Sequence, residues 1–350
     1  MERRLDIGNA WILHCLNSEV TDFYLGTVGE AFKQIGFSVS NISAEQGIEE
    51  LAKRAAHGDY IVVPSVISFA SLRRKGFKNI VLWLQGVVPE ESYLRNHCRA
   101  RKAVLEAIEK RALKQACFLL FVSNAMQKHY ENKYGLDFSD KSYVMPCCNT
   151  MMRPDLFGSQ KRYVDPVFAY VGSLAAWQCF DETMFFFKQI EERIPGASLK
   201  VLTFQQSEAR EKLSCSGINN WTLGCVPSEK VPDALSEVGY GFLLRRENVV
   251  NMVSTPTKLS SYLSCGVIPI FSSCVKGFYE ASKAMRYVCP VSSFEDVDKV
   301  VDFVSTPPDQ SALKEEYGRL FDSYYSRSFH IRKLAEMFMR RFSSFSRELA

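Results

Sequence analysis

Residues 240–271 read YGFLLRRENVVNMVSTPTKLSSYLSCGVIPIF and carry the pattern of a strand, a helix and a second strand. Residues 240–244 form an apolar run with the length of a buried strand. Residues 257–264 predict a helix that stops at Gly266, and the apolar run 267–271 predicts the next strand. This order of elements is typical of a parallel sheet and indicates an α/β protein.

Lys258 falls in the first turn of this helix, for which Thr255 is the predicted N-cap and Pro256 the first helical residue. A cation there opposes the helix dipole, so its presence favours a bound anion such as a phosphate. Arg245 and Arg246 end the preceding strand, where an open α/β sheet binds its ligands. We expect one of the two arginines to join Lys258 on a diphosphate, because neighbouring strand residues point to opposite faces. The alternative is a solvated arginine pair and a lysine that extends to solvent.

Length and composition favour a globular protein of two domains. The chain has 350 residues, of which 47% are hydrophobic and 23% charged. The absence of a bilayer-length apolar run and of a signal-peptide pattern predicts a cytoplasmic protein. A net charge of +4 argues against nucleic acid as a partner, and it allows weak, peripheral association with the inner face of a membrane. The eleven cysteines show no paired metal-ligand spacing, which predicts thiols in a reducing compartment and no metal site.

Short apolar runs alternate with helical segments along both halves of the chain, which predicts two doubly wound, mostly parallel sheets. The pattern fails at residues 144–150, the predicted hinge. We therefore expect domains at 1–150 and 151–329, with a last helix at about 330–350. That basic amphipathic helix either lies on a membrane or, as we favour, packs on the body of the protein. Predicted strands lie at 10–16, 36–39, 60–64, 79–84, 117–122, 167–171 and 198–203, and a loop at 223–227.

Several common catalytic motifs are missing from the sequence. It contains no G-x-G-x-x-G after a strand and no P-loop, G-x-S-x-G or H-E-x-x-H motif. Gly172 and Ser173 follow a predicted strand and would let the backbone approach a phosphate or sugar. Gln85 and Glu91 follow another strand and carry groups that can hold sugar hydroxyls or assist an acceptor. The alternative for Glu91 is an acidic residue at a helix start.

Taken together, these motifs resemble those of the family 4 glycosyltransferases. The resemblance rests on YVGSL at 170–174, LLRR at 243–246, Asn251, STPTKL at 254–259 and YLSCGVIP at 262–269. It implies the GT-B fold, an α/β architecture of two Rossmann-like domains that face a central cleft. The N-terminal domain would bind the acceptor, and the C-terminal domain would bind a UDP- or GDP-linked sugar.

The resemblance also implies roles for individual residues. Arg245 and Lys258 would hold the donor diphosphate, the loop around Val226 would accept the nucleobase, and Gln85 lies near the position of an acceptor-domain histidine in relatives. Further implied donor contacts are Gly172, Ser173, Arg246, Asn251, Ser254, Thr255, Pro256, Thr257 and Tyr262.

The sequence departs from the family in two places. Relatives carry E-x7-E where this chain has Val253 and Ser261, and they carry a basic pair where it has LAAWQ at 174–178.

The leading hypothesis is a retaining glycosyltransferase that needs no metal or other cofactor and acts in polysaccharide biosynthesis. Its acceptor would be a glycan, a polysaccharide or a lipid-linked sugar. The candidate catalytic residues are Arg245, Lys258, Gln85 and Glu91. Two alternatives are a catalytically silent subunit that binds sugar nucleotides, as Val253 and Ser261 suggest, and a sugar-nucleotide epimerase with the same fold.

Overall fold

The computed structural model of the chain describes residues 8–14, 19–43, 45–158 and 160–348. Residues 15–16 of the predicted first strand and 349–350 of the predicted last helix lie outside these ranges. The chain divides into two compact units. One contains the described residues up to Cys147 and those from Ser326 onward, and the other spans Cys148–Tyr325.

The first unit is built on six parallel strands in the order β2-β1-β3-β4-β5-β6. They are β1 (Asn9–Leu13), β2 (Ser38–Ile42), β3 (Tyr60–Val63), β4 (Ile80–Leu84), β5 (Phe118–Phe121) and β6 (Ser142–Val144). Every residue of β4 and β5 is buried, as expected for central strands with both faces covered.

Helices connect these strands and cover the sheet. They are α1 (Glu19–Gln34), α2 (Gly47–Arg54), α3 (Val66–Arg74), α4 (Val88–Asn96), α5 (Arg99–Gln115) and α6 (Asn124–Tyr134). The hydroxyl of Ser123 accepts a hydrogen bond from the amide of Met126 at 3.0 Å and so caps α6.

The second unit has its own six-stranded parallel sheet, in the order β12-β11-β10-β7-β8-β9. Its strands are β7 (Val167–Val171), β8 (Ser198–Leu202), β9 (Trp221–Gly224), β10 (Tyr240–Leu243), β11 (Ile268–Ser272) and β12 (Cys289–Val291). Its helices are α7 (Lys161–Val164), α8 (Phe180–Arg193), α9 (Gln206–Cys215), α10 (Val231–Ala234), α11 (Val249–Val253), α12 (Lys258–Ser264), α13 (Lys276–Ala281), α14 (Val297–Val304) and α15 (Gln310–Asp322).

The last helix, α16 (Arg327–Glu348), packs against α1 within the first unit. Its Leu334 and Phe338 are fully buried. The Phe338 ring lies 4.6 Å from the ring centroid of Phe32 in α1 and 5.2 Å from that of Phe118 in β5. Leu334 and Phe338 of α16 are therefore part of the core of this unit.

Two predicted elements are displaced in the structure. The strand predicted at 36–39 runs over Ser38–Ile42, because Gly36 has a positive φ of 97° and turns the chain into the strand. The loop predicted at 223–227 begins only after β9, whose Leu223 pairs with Val201 of β8. The strand was missed because β9 is an edge strand with little buried surface.

Candidate functional site

The order of strands in the second sheet identifies where a ligand would bind. The chain runs outward from β7 through β8 and β9, and in the opposite direction from β10 through β11 and β12. β7 and β10 are neighbours, so a crevice forms at their carboxyl ends, as it does wherever the strand order of an α/β sheet reverses. Gly172 directly follows β7, and Arg245 lies two residues after β10.

Arg245 is held rigidly at this point, with only 5% of its surface exposed. Its amide donates to the Ser272 hydroxyl at 2.8 Å. Its Nη1 donates to the carbonyls of Gln178 at 2.8 Å and Leu244 at 2.9 Å, and its Nη2 donates to Oε1 of Gln178. Burial lowers the pKa of Arg245, because the charged form loses its hydration.

Lys258 reaches the same oxygen from the start of α12. Its Nζ donates to Gln178 Oε1 at 2.6 Å and lies 4.8 Å from the centroid of the Tyr170 ring. The residue keeps some exposed surface, but these groups enclose its ammonium nitrogen. Burial, followed by the charge of Arg245, holds the pKa of Lys258 well below its usual value.

Gly172 is required by the position of Lys258. A Cβ at residue 172 would lie 2.7 Å from both Cε and Nζ of Lys258, and the φ of Gly172 is +131°. A side chain here would displace the ammonium group of Lys258, and the backbone conformation would be strained.

The two cations share a neutral oxygen where an anion is expected. Within the described part of the chain, neither Arg245 nor Lys258 forms an ion pair with a carboxylate, whereas the neighbouring Arg246 pairs with Glu182. Burying a charge without a counterion costs free energy, so negative charge at this place would stabilise the protein. An anionic ligand with several oxygen acceptors would satisfy it.

Arg246 points away from this cluster, as the alternation of side chains predicts. Its Nη2 lies 2.6 Å from Oε1 of Glu182, and its side chain is 71% exposed. The side-chain Nδ2 of Asn251 donates to the Arg246 carbonyl at 2.9 Å. The backbone amide of Asn251 donates to Oδ1 of Asn248, the N-cap of α11. Asn251 thus fixes the loop that follows β10.

The predicted N-cap of the Lys258 helix is wrong. α12 begins at Lys258 with Thr257 as its N-cap, and the Thr257 side chain makes no capping hydrogen bond. The amide of Leu259 donates to the Pro256 carbonyl at 3.1 Å, which forms a tighter turn ahead of the helix. Thr255 precedes a proline, which disfavours helical backbone there, and it lies three residues before the helix begins.

Other predicted donor residues support the site from within the fold. The Tyr262 hydroxyl donates to the Phe242 carbonyl at 3.1 Å, and a Cβ at Gly241 would lie 2.7 Å from the Tyr262 ring. The Ser254 hydroxyl donates to the Asn251 carbonyl at 3.0 Å. Tyr262 therefore supports the strand on which Arg245 is placed.

Val253 and Ser261, the two positions at which the sequence departs from the E-x7-E pattern, are both buried. The Ser261 hydroxyl contacts Oδ1 of Asn149 at 3.2 Å and the Thr257 carbonyl at 3.3 Å. This hydroxyl is engaged within the protein.

Three residues that were not predicted from the sequence as site residues lie at this edge of the sheet. Gln178 accepts from both cations, and Tyr170 presents its ring to Lys258. Phe204, two residues after β8, is 72% exposed. Gln205 beside it accepts from the Leu174 amide at 2.8 Å, which joins the loops after β7 and β8. The sequence signal for Phe204 was an aromatic residue directly after the strand predicted at 198–203.

Val226 and Ser173, two further predicted donor residues, lie in the loops after β9 and β7. Val226 lies two residues after β9, and the Gly224 carbonyl of that strand accepts from the Thr203 amide at 3.0 Å. The Ser173 carbonyl accepts from the Tyr170 hydroxyl at 2.6 Å.

Gln85 and Glu91 lie in the first unit, whereas Arg245 and Lys258 lie in the second. Gln85 directly follows β4. Its Oε1 accepts from the Tyr24 hydroxyl at 3.2 Å, and its Nε2 finds no partner among the described residues. Oε1 of Glu91 accepts from the Val87 amide at 3.1 Å, and burial raises the pKa of Glu91. Glu91 thus has the local contacts of an acidic residue at a helix start.

The described residues contain neither a metal-binding cluster nor a membrane-spanning helix. No group of three or more His, Cys, Asp or Glu side chains is arranged to hold a metal ion. Among the helices of the described ranges, none combines the length and apolarity needed to cross a bilayer.

No protein-family model and no curated protein matches this sequence. Solved structures do match the fold. Anabaena HepE, in complex with UDP and glucose, aligns with a TM-score of 0.68 over 95% of this chain and 99% of its own, at 10% identity. The E. coli trehalose-6-phosphate structure bound with UDP-2-fluoro glucose aligns with a TM-score of 0.62 over 95% and 98% of the two chains, at 11% identity.

The chain has the GT-B fold. Its two parallel six-stranded sheets with interleaved helices match the two-domain architecture of these structures. A mutant of S. aureus TarM, in complex with fondaparinux, alpha-GlcNAc-glycerol and UDP, shares the GT-B fold with a TM-score of 0.60 and 9% identity. That alignment covers 83% of this chain and 58% of the TarM chain.

Proposed function

We propose that this protein is a glycosyltransferase that moves a sugar from a nucleotide diphosphate donor, UDP- or GDP-linked, to an acceptor. The observation that carries the proposal is the pair of enclosed cations at the strand-order reversal, Arg245 and Lys258, which have no carboxylate partner among the described residues. The HepE and TarM structures are complexes with UDP, and the E. coli structure is bound with UDP-2-fluoro glucose, which supports the same choice of ligand.

In the proposed complex, diphosphate oxygens replace Oε1 of Gln178 as the acceptor that Arg245 and Lys258 share. The planar guanidinium of Arg245 suits two oxygens at once, and Lys258 supplies a compact charge. Negative charge on the diphosphate grows as the bond to the sugar breaks. Fixed cations in an enclosed site stabilise that charge more than they stabilise the bound donor, and this difference accelerates the reaction.

The loops at the same edge would bind the rest of the donor. Gly172 and Ser173 let the backbone approach the phosphates or the sugar. The exposed ring of Phe204 follows β8, one strand away from β7, and Val226 follows β9, two strands away, which suits a base that stacks on Phe204. Replacement of Phe204 by alanine would then weaken the binding of the nucleotide more than that of pyrophosphate.

The acceptor would be a glycan, a polysaccharide or a lipid-linked sugar, with a role in polysaccharide biosynthesis in the cytoplasm. The Nε2 of Gln85, which has no hydrogen-bond partner among the described residues, would donate to a sugar hydroxyl. A phosphate oxygen of the leaving diphosphate would take the acceptor proton, so the mechanism needs no enzyme base and no metal, and it retains the anomeric configuration. In this scheme Glu91 orients the loop that carries Gln85.

A catalytically silent donor-binding subunit is the second candidate. It is favoured by the buried Val253 and by Ser261, whose hydroxyl is engaged by Asn149 and Thr257. Neither residue can supply a carboxylate to the donor. A sugar-nucleotide epimerase would differ from both candidates, because it would form an epimer without any acceptor.

A panel of nucleotide sugars measured by thermal shift tests the proposal, because a ligand of the folded state raises the melting temperature. Lys258→Ala should abolish the shift caused by the best ligand. Lys283→Ala, which removes an exposed lysine paired with Glu280, is the matched control and should leave it unchanged. Incubation of that ligand with oligosaccharide acceptors then separates the candidates. Transfer supports the enzyme, and binding without transfer or epimer formation supports the silent subunit.

A further inference from the structure

A second positively charged cavity lies in the first unit, between α3 and α5. It measures about 300 Å³, and its walls include Ala70, Arg73, Arg74, Ile108, Arg111 and Gln115. It shares no residue with the sites described above. We refer to it as the α3–α5 groove.

The guanidinium groups of the α3–α5 groove lack counterions. Arg73 is anchored by bonds to Oε1 of Gln115 at 3.3 Å and to the Phe77 carbonyl at 3.0 Å, which aligns it along the wall. Arg74 and Arg111 are exposed. In the part of the chain that the structure describes, none of the three forms an ion pair with a carboxylate.

The charge of the chain is concentrated in this region. Residues 66–116 contain eleven lysines and arginines and four aspartates and glutamates, a net charge of +7. The whole chain carries +4, so the remainder of the protein is net negative at −3. The mild total charge therefore includes a strongly basic segment, which contains α3 and α5.

Apolar side chains lie beside these charges in a repeated arrangement. On α3, Ile67 stands one turn before Ala70 and two turns before Arg74. On α5, Val104 stands one turn before Ile108 and two turns before Arg111. Ile67 is 44% exposed and Val104 is 61% exposed. On each helix, an exposed aliphatic residue and an arginine therefore lie on the same face.

We propose that the α3–α5 groove and its rim dock this protein on an anionic lipid bilayer. Guanidinium groups would bind the lipid phosphates, and Ile67 and Val104 would enter the interface between headgroups and acyl chains. A single-stranded nucleic acid would also be attracted by the charges, but its bases would stack on aromatic rings, and the exposed neighbours Ile67 and Val104 are aliphatic. The inference does not depend on the proposed function.

Co-sedimentation of the full chain with lipid vesicles tests the inference. The protein should bind vesicles of phosphatidylcholine mixed with phosphatidylglycerol, and not vesicles of phosphatidylcholine alone. The double variant Arg74→Glu/Arg111→Glu should bind the mixed vesicles at least about tenfold more weakly, because each arginine near the surface contributes substantially to attraction. Both residues are exposed, so the melting temperature should stay the same.

Two further variants separate a docking surface from general charge attraction. Arg332→Glu/Arg340→Glu makes the same charge change at exposed positions of α16 and should keep most of the binding. Ile67→Ser/Val104→Ser keeps every charge and should weaken binding several-fold. The inference is overturned by absent binding to the mixed vesicles, by an equal loss in the α16 variant, or by an unaffected aliphatic variant. It is also overturned if a short oligonucleotide binds and Arg74→Glu/Arg111→Glu abolishes that binding, which would indicate a nucleic-acid site.

Discussion

Arg245 and Lys258 donate to one and the same atom, Oε1 of Gln178, although they come from the end of β10 and the start of α12. The two charges are thus held together by a neutral amide. Burial lowers the pKa of both residues, because the charged forms lose their hydration. This arrangement is suited to bind an anion.

Substitution of the glycine beside Lys258 should damage the site directly. Gly172→Ala places a Cβ 2.7 Å from Lys258 Nζ at a φ of +131°, so we expect about 1–3 kcal/mol of destabilisation and a displaced ammonium group. Gly196→Ala is the control, because Gly196 also has a positive φ, +86°, but open space around its Cβ position. Titration of UDP and GDP by calorimetry should show a loss of affinity for Gly172→Ala only. Equal affinities in both variants would contradict the role of the close approach.

Binding of a nucleotide diphosphate should take up protons. Burial and the charge of Arg245 lower the pKa of Lys258 in the free protein, and a bound anion favours the charged ammonium and raises that pKa again. The affinity should therefore fall as the pH rises through the pKa range of Lys258. Calorimetry in two buffers of different ionisation enthalpy measures the uptake, which Lys258→Met should remove. The same proton count in wild type and variant would show that Lys258 does not titrate with the ligand.

Gln178 should act as a neutral stand-in for the ligand. Gln178→Glu puts a carboxylate between the two cations, so we expect a higher melting temperature and at least about tenfold weaker binding of the diphosphate. Gln178→Ala removes the competing oxygen and should bind at least as tightly as the wild type. If the alanine variant lost as much affinity as the glutamate variant, Gln178 would be needed for the ligand itself.

Lysine replacements should separate the two arginines after β10. Arg245→Lys keeps the charge but loses the planar pair of donors, so the transfer rate at saturating donor should fall more than donor affinity does. Arg246→Lys should have a milder effect, because Arg246 pairs with Glu182 on the opposite face. The measurement is kcat beside the donor dissociation constant for both variants. Equal small losses of affinity with unchanged kcat would make Arg245 an anchor without a role in the chemical step.

The sequence predicted the parallel sheets because their central strands are continuous apolar runs bounded by glycine and proline, as at β7 and β10. It placed Arg245 and Arg246 on opposite faces, because side chains alternate along extended backbone. It did not locate the start of α12, since the turn at Pro256 resembles a first helical turn in sequence. The role of Gln178 could not be predicted from the sequence. Gln178 lies 67 positions before Arg245 and 80 positions before Lys258, and contacts over such separations depend on how short loops fold.

The most direct test is the affinity of the Lys258→Ala variant for a nucleoside diphosphate. UDP or GDP should bind the wild type far more tightly than the matching nucleoside does. The variant should lose about 1.5–3 kcal/mol of that diphosphate affinity, the contribution of a charge-assisted hydrogen bond, while the weak binding of the nucleoside stays the same. A calorimetric dissociation constant that is equal in the wild type and in a folded Lys258→Ala variant would contradict the claim that this cation pair binds the diphosphate.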